Sequence, residues 1–244
     1  VEFRNVSMRY KGAGADTLTG IDFKAKPGDT IGIIGGTGSG KSSVVNLIPR
    51  FYDVTEGRVL VDGVDVREMT QKEVRSRLGY VPQKGVLFSG TIDSNIRYGK
   101  TDISETEVKE AAEVAQATEF IDAKPEQYAS PIAQGGTNVS GGQKQRLSIA
   151  RAIAKKPEIF IFDDSFSALD FKTDSTLRKA LKEHTKDATT IIVAQRISTI
   201  LNADKIIVLD DGHMAGIGTH GELMKNCEVY RQIAMSQLSE EELA

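Results

Sequence analysis

Eight consecutive residues, Gly35-Gly36-Thr37-Gly38-Ser39-Gly40-Lys41-Ser42, have the types and spacing of a phosphate cradle, G-x-x-x-x-G-K-S. The glycines lack Cβ, so the backbone can curl and point successive N–H groups at anionic oxygens. Lys41 brings a full positive charge for β- and γ-phosphates, and the Ser42 hydroxyl suits Mg²⁺. Such a loop works only between a strand and a helix. Thr30-Ile31-Gly32-Ile33-Ile34 reads as a buried strand, and Ser43 to Ile48 as the start of a helix. An incidental Lys-Ser at the end of a Gly-rich turn would not bring all three features together.

Two further stretches complement the loop. Ile159-Phe160-Ile161-Phe162-Asp163 is an apolar strand ending in a carboxylate, which in a phosphate-loop protein falls beside the Mg²⁺ site. Val139-Ser140-Gly141-Gly142-Gln143 precedes an amphipathic pattern expected to be helical from Gln143 to Ala154. Small residues at a helix start make a second anion site. Two such starts in one chain make sense if the second serves the nucleotide of another protomer.

The elements that must hold these residues follow from periodicity. Residues 1–34 read as β-rich, with turns at Lys11–Asp16 and Pro27–Asp29. A short strand is expected over Arg58–Val61, a charged helix over 71–78, and a strand over Gly79–Pro82 ending at Gln83. From about 84 to 155 the chain reads as mostly helical, and Ser104 and Glu107 have capping-box spacing. Continuous apolar runs at 159–162, 190–193 and 206–209 suit parallel strands covered on both faces. The expected division is an ATP-binding core of about 1–83 and 156–244, interrupted by a helical subdomain of about 84–155.

Composition excludes several classes. The 244 residues carry a net charge of −3, which gives no electrostatic case for nucleic acid. Cys227 is the single cysteine, so no internal disulfide forms. No stretch has the length of a membrane span, and the N-terminus has no signal-peptide pattern. With Val1 in place of Met, the chain is expected to be a domain cut from a longer protein.

The combination resembles the nucleotide-binding domain of ATP-binding cassette (ABC) transporters. Ser140-Gly141-Gly142-Gln143 matches that family's signature, with Val139 where Leu is usual, and Lys144 to Ala152 continues the match. The resemblance implies an α/β fold: a P-loop NTPase (RecA-like) core with an antiparallel β subdomain and an inserted α-helical signature subdomain. It implies ATP and Mg²⁺ as ligands. The nucleotide contacts it implies are Tyr10, Gly35, Gly36, Thr37, Gly38, Ser39, Gly40, Lys41, Ser42, Ser43, Gln83, Ser140, Gly141, Gly142 and Gln143; the metal contacts are Ser42, Gln83 and Asp163. Tyr10 stacks on adenine, Gln83 reaches Mg²⁺ and the attacking water, and Ser167-Ala168-Leu169-Asp170 crosses to a partner domain. Leu87 to Ile92, with Asn95-Ile96, resembles the exporter branch. That implies a transmembrane domain fused before Val1 and a place on the cytoplasmic face of the membrane.

Two positions depart from the family pattern. Asp164 stands where Glu polarises the attacking water, and Gln195 stands where His contacts the γ-phosphate. Asp164, Gln195 and Gln83 are the catalytic candidates. The pattern resembles the impaired half of a heterodimeric exporter, whose intact signature serves the site of a non-identical partner. Gln134, in place of the usual Glu before the signature, weakens residue-level claims on the coupling to the membrane domain. The alternatives are a non-hydrolysing dimerisation module and a soluble ABC ATPase; a GTPase is disfavoured because no Asn-Lys-x-Asp segment is present.

Overall fold

Phe3, Val6 and Met8 are buried along the first strand, and the chain uses that apolar edge to begin an antiparallel sheet. The structure, a computed structural model, describes residues 1–100 and 102–238. In chain order its elements begin with β1 (Glu2–Met8), β2 (Leu18–Lys24), β3 (Thr30–Gly35), α1 (Lys41–Leu47), β4 (Glu56–Val61), β5 (Val64–Asp65) and α2 (Gln71–Ser76). There follow β6 (Leu78–Val81), β7 (Gly90–Thr91), α3 (Ile92–Ile96), α4 (Glu105–Val114), α5 (Thr118–Asp122), β8 (Pro131–Ile132), α6 (Gly141–Ala154), β9 (Ile159–Asp163) and α7 (Phe171–His184). The last group is β10 (Thr189–Val193), α8 (Ile197–Ile200), β11 (Lys205–Asp210), β12 (His213–Gly218), α9 (His220–Asn226) and α10 (Glu228–Gln237). Residues 1–78 with 189–238 form one unit, and residues 79–188 form the other.

In the first unit β1 is flanked by β2 and β4 in an antiparallel sheet of order β2-β1-β4-β5. The Phe3 and Phe23 rings stack across it with centroids 4.6 Å apart. The second sheet region has β3 between β10 and β11, both parallel to it, with β12 antiparallel on β11. Ile31, Ile33 and Ile34 are buried, as a strand with neighbours on both sides and helices above requires. Helix α8 lies directly on β3: a Cβ on Gly32 would fall 2.7 Å from the Ile200 Cβ, so only glycine fits there. On α10, Tyr230 and Ala234 form the buried stripe, and the Tyr230 hydroxyl is bonded to His220 Nδ1 at 2.8 Å.

In the second unit β9 is buried at all five positions and is the sheet neighbour of β6. Helix α6 buries Leu147, Ile149, Ala150 and Ile153, with α3 and α4 packed on it. The helix starts at Gly141, two residues before the expected Gln143, because Ser140 takes extended backbone and caps it. The expected capping box of α4 is present: Ser104 accepts from the Glu107 N–H and Glu107 accepts from the Ser104 N–H. Among the described residues no helix is long and apolar enough to cross a membrane.

Candidate functional site

In the first unit the phosphate loop links the central strand β3 to α1. Gly35 closes the strand where a Cβ would lie 2.2 Å from the Leu209 carbonyl oxygen and 2.6 Å from Ser39 Oγ. Gly40 takes φ 98°, and no side chain caps the helix it opens. The cap position of α1 thus contributes no side-chain oxygen to the first turn. Lys41 is drawn back across the loop, its ammonium donating to the carbonyls of Gly35 at 2.8 Å and Gly36 at 2.7 Å. The buried Ser39 hydroxyl has no protein partner. A glycine-built cradle, an ammonium folded over it and an unpartnered hydroxyl within it fit a polyphosphate.

Tyr10, expected from the sequence to stack on the base, is tied to the same helix. Tyr10 shares a 2.9 Å hydrogen bond between its hydroxyl and Ser43 Oγ, and its ring meets Tyr52 edge-on at 4.9 Å. Gln195 is placed by register. Val193 pairs with Ile33 in the parallel ladder, so two residues further along, Gln195 and Gly35 leave the same end of neighbouring strands. The first unit thus brings together Tyr10, the loop from Gly35 to Ser43, and Gln195.

In the second unit β9 delivers two adjacent buried carboxylates. Asp163 Oδ2 accepts from the Tyr80 hydroxyl at 3.3 Å, and Asp164 Oδ2 accepts from Gln83 Nε2 at 2.9 Å. Gln83 and Asp164, 81 positions apart, are therefore in direct contact. Burial, and then the neighbouring Asp163 charge, push the Tyr80 phenol well above its ordinary range, so it stays protonated and donates. Asp164 sits at φ 48°, in the left-handed region. The turn beyond is closed by Ser167 Oγ donating to the Asp164 carbonyl and Ser165 Oγ to the Val81 carbonyl.

The signature stretch starts α6 with a reciprocal cap. Ser140 Oγ accepts from the Gln143 N–H at 3.2 Å, and Gln143 Oε1 accepts from the Ser140 N–H at 3.1 Å. This uses the acceptor side of the Ser140 hydroxyl and leaves its O–H as a donor. A Cβ on Gly142 would lie 3.6 Å from the Ala168 carbonyl oxygen, so the start of α6 and the Ser167–Asp170 loop adjoin. About one turn later, the buried Gln145 amide accepts from Gly85 N–H at 2.9 Å and donates to the Pro82 carbonyl at 3.1 Å. The loop carrying Gln83 is thereby pinned to the signature helix. Neither Tyr80 nor Gln145 is marked by the sequence: a strand Tyr and a helix Gln are ordinary, and only the fold gives them partners.

The segment from Val86 to Tyr98 folds around one buried amide. Asn95 donates to the carbonyls of Phe88 and Thr91 and accepts from Phe88 N–H and Arg151. Arg151 also donates to the Val86 and Asn95 carbonyls and lies 5.1 Å from the Phe88 ring centroid. Burial lowers the guanidinium to about 10, so it remains charged at neutral pH.

Within the second unit, the Asp163 carboxylate and the Gln83 side-chain amide offer the hard oxygen donors that Mg²⁺ takes. Among the described residues no group of three or more His, Cys, Asp or Glu side chains could hold a metal ion by itself.

The ABC transporter family model matches residues 18–167. The chain is 47% identical over 240 residues to an uncharacterized ABC transporter ATP-binding protein of Mycobacterium bovis, covering 97% of this chain and 41% of that protein. It is 45% identical over 233 residues to a putative multidrug export ATP-binding/permease protein of Bacillus subtilis, covering 96% of this chain and 40% of the relative. A bacterial Atm1-family ABC exporter solved with ATP bound superposes with a TM-score of 0.93 at 39% identity, over 98% of this chain and 42% of that one. The chain thus spans about two fifths of the length of these relatives.

Proposed function

Because this chain belongs to the ABC transporter family of ATP-binding domains, we propose that it binds Mg-ATP, closes against a second nucleotide-binding domain and powers export through a membrane domain. The relative named as a joined multidrug-export ATP-binding/permease protein supports a transmembrane part, which we place N-terminal to Val1. In this proposal Tyr10 stacks on the base, and the loop from Gly35 to Ser43 holds the phosphates. Ser42, Asp163 and Gln83 hold the metal. The signature, Ser140 to Gln143, serves the partner's nucleotide, and the partner is a non-identical domain. Held there, Mg²⁺ would offset the negative charge of the phosphates.

The observation that carries the finer proposal is the 2.9 Å contact between Gln83 and Asp164 in a chain whose phosphate-binding motif is intact. Hydrolysis needs a water oxygen to form a bond to γ-phosphorus while the bond to the ADP oxygen breaks. A carboxylate must hold that water in line. Asp is one C–C bond shorter than Glu, so its oxygens lie about 1.5 Å nearer the backbone. Here one of them is held by the Gln83 amide. Gln195 can donate or accept a hydrogen bond, but it cannot carry an imidazolium charge. Binding contacts are retained and water positioning is weakened, so this site binds ATP and turns it over slowly.

The test is single-turnover hydrolysis at this site in the assembled transporter, with the partner's own catalytic Glu disabled. The expected rate is on the order of 10²–10⁴ below that of the partner's site. Asp164→Glu with Gln195→His is expected to recover more than the sum of the single changes, since both act on one water and one phosphate. A rate in the unmodified chain equal to the partner's would overturn the impaired-site assignment. No turnover at all would favour the non-hydrolysing dimerisation module.

A further inference from the structure

The backbone that carries Gln195 is held by a side chain from the other end of the unit. Gln237, the last residue of α10, accepts from the Ile197 N–H through Oε1 at 2.8 Å and donates through Nε2 to the Gln195 carbonyl at 2.8 Å. One planar amide thus satisfies a donor and an acceptor two residues apart. The need for it is local. Ile197 opens the four-residue helix α8, and Arg196 at the cap position supplies no side-chain acceptor. Without Gln237 that N–H would lack the partner a helix start requires.

The placement of Gln237 is built into α10. Tyr230, Ala234 and Gln237 are spaced i, i+4 and i+7, so all three lie on one helix face. The first two are fully buried, and the third, exposed at the end of the helix, lies on the same face with an amide in place of an apolar group. Tyr230 is anchored by its hydrogen bond to His220, and burial pushes its phenol up to about 12, so it stays protonated. At the other end, α8 sits on β3 through the Gly32–Ile200 approach, and register puts Gln195 level with Gly35. The chain of fixed contacts runs from α10 through Gln237 to the residue beside the phosphate loop.

We propose that Gln237 is a positioning residue that holds the Gln195–Ile197 backbone, and that the seating of α10 thereby sets how residue 195 meets the γ-phosphate. The second half of this inference rests on the proposed role of Gln195; the first half does not. The experiment uses the complete transporter with its partner. In Gln237→Leu, amide hydrogen exchange at Ile197 should accelerate about tenfold, the loss of one partly buried hydrogen bond. Met235→Ala, an exposed change on the same helix, should leave that exchange unchanged. In the Asp164→Glu, Gln195→His background, Gln237→Leu should lower single-turnover hydrolysis about tenfold with ATP affinity held within twofold. Gln237→Glu covers the case in which the Leu variant unseats α10. It keeps an acceptor for Ile197 but loses the donor to the residue-195 carbonyl, so protection at Ile197 should persist while hydrolysis falls. Unchanged Ile197 exchange in Gln237→Leu would overturn the clamp, whatever residue 195 does. Faster exchange with unaltered hydrolysis would overturn the link to the γ-phosphate. If His at position 195 brings no gain, the switch role of that residue fails, and exchange at Ile197 alone decides the clamp.

Discussion

Two glycine-rich helix starts in this chain solve the same local problem in opposite ways. Helix α1 opens on Gly40 at φ 98° with no side-chain cap, while α6 opens on Ser140 with a reciprocal cap from Gln143. The first has no side-chain cap and lays its own lysine over the loop carbonyls. The second is complete before any ligand arrives and offers one hydroxyl proton and two small residues outward. The difference matches the division of labour proposed above. A site that must grip an anion is left unfinished, whereas a surface that must close reversibly on another protomer's nucleotide is finished in advance. The identity of Gln143 adds to this. The capping box of α4 uses a carboxylate, Glu107, but the same geometry at α6 uses a neutral amide. A Glu there would cap as well and would repel a phosphate.

The largest expected effect comes from filling the finished surface. Gly142→Asp places a charged side chain where a Cβ already lies within van der Waals contact of the Ala168 carbonyl. ATPase activity of the assembled complex should fall roughly 10²- to 10³-fold, while ATP affinity of this chain's own loop stays unchanged in calorimetry. Equal losses in both measurements would erase the distinction between the two starts. Next in size is Lys41→Ala, which removes the ammonium from the unfinished start. ATP affinity should drop by about one to two decades, and an unaltered affinity would contradict the phosphate-loop assignment. Gln143→Glu is subtler. It preserves the cap of α6, so thermal stability should hold, but the added charge should weaken nucleotide-driven closure with the partner by about fivefold. Titration under vesicle-free conditions would read this directly.

The smallest effect separates the two capping boxes by pH. The Lys156 hydrogen bond, and then those from Ser104, lower Glu107 from its ordinary 4.5 to about 2. A depressed carboxyl stabilises the fold fully above pH about 4.5 and loses that contribution as pH falls toward 2. Hydrogen exchange at the start of α4 should therefore accelerate across that window. The Ser140–Gln143 box has no titrating member and should not respond. A common acid response at both helices would point to global unfolding and remove this contrast.

The legible parts of the molecule were those in which one short stretch carries its own context. The phosphate loop, its strand and its helix are contiguous, so Thr30 to Ile48 could be read directly. The strands β9, β10 and β11 were marked by unbroken apolar runs. Helix α7 and strand β12 escaped notice. The α7 sequence exposes Lys and Glu over most of its turns and buries only Leu177 and Leu181 among its apolar groups, and β12 alternates half-buried and exposed positions around two glycines. The site was less legible wherever it depends on pairing across long separations. Gln83 and Asp164 were each singled out, yet their contact was not. Gln145 and Gln237 had no mark at all, since a glutamine acquires a role only from the two backbone groups that the fold brings to its amide.

One backbone angle bears on how such a site persists. Asp164 sits at φ 48°, where Asp and Asn are several-fold enriched among non-glycine residues and longer side chains are disfavoured. At this position the shorter acid is thus also the conformationally cheaper one. A Glu placed here would have to take up the left-handed backbone and would disturb the Gln83 contact, so one backbone angle joins the choice of acid at position 164 to the conformation of the turn that carries it.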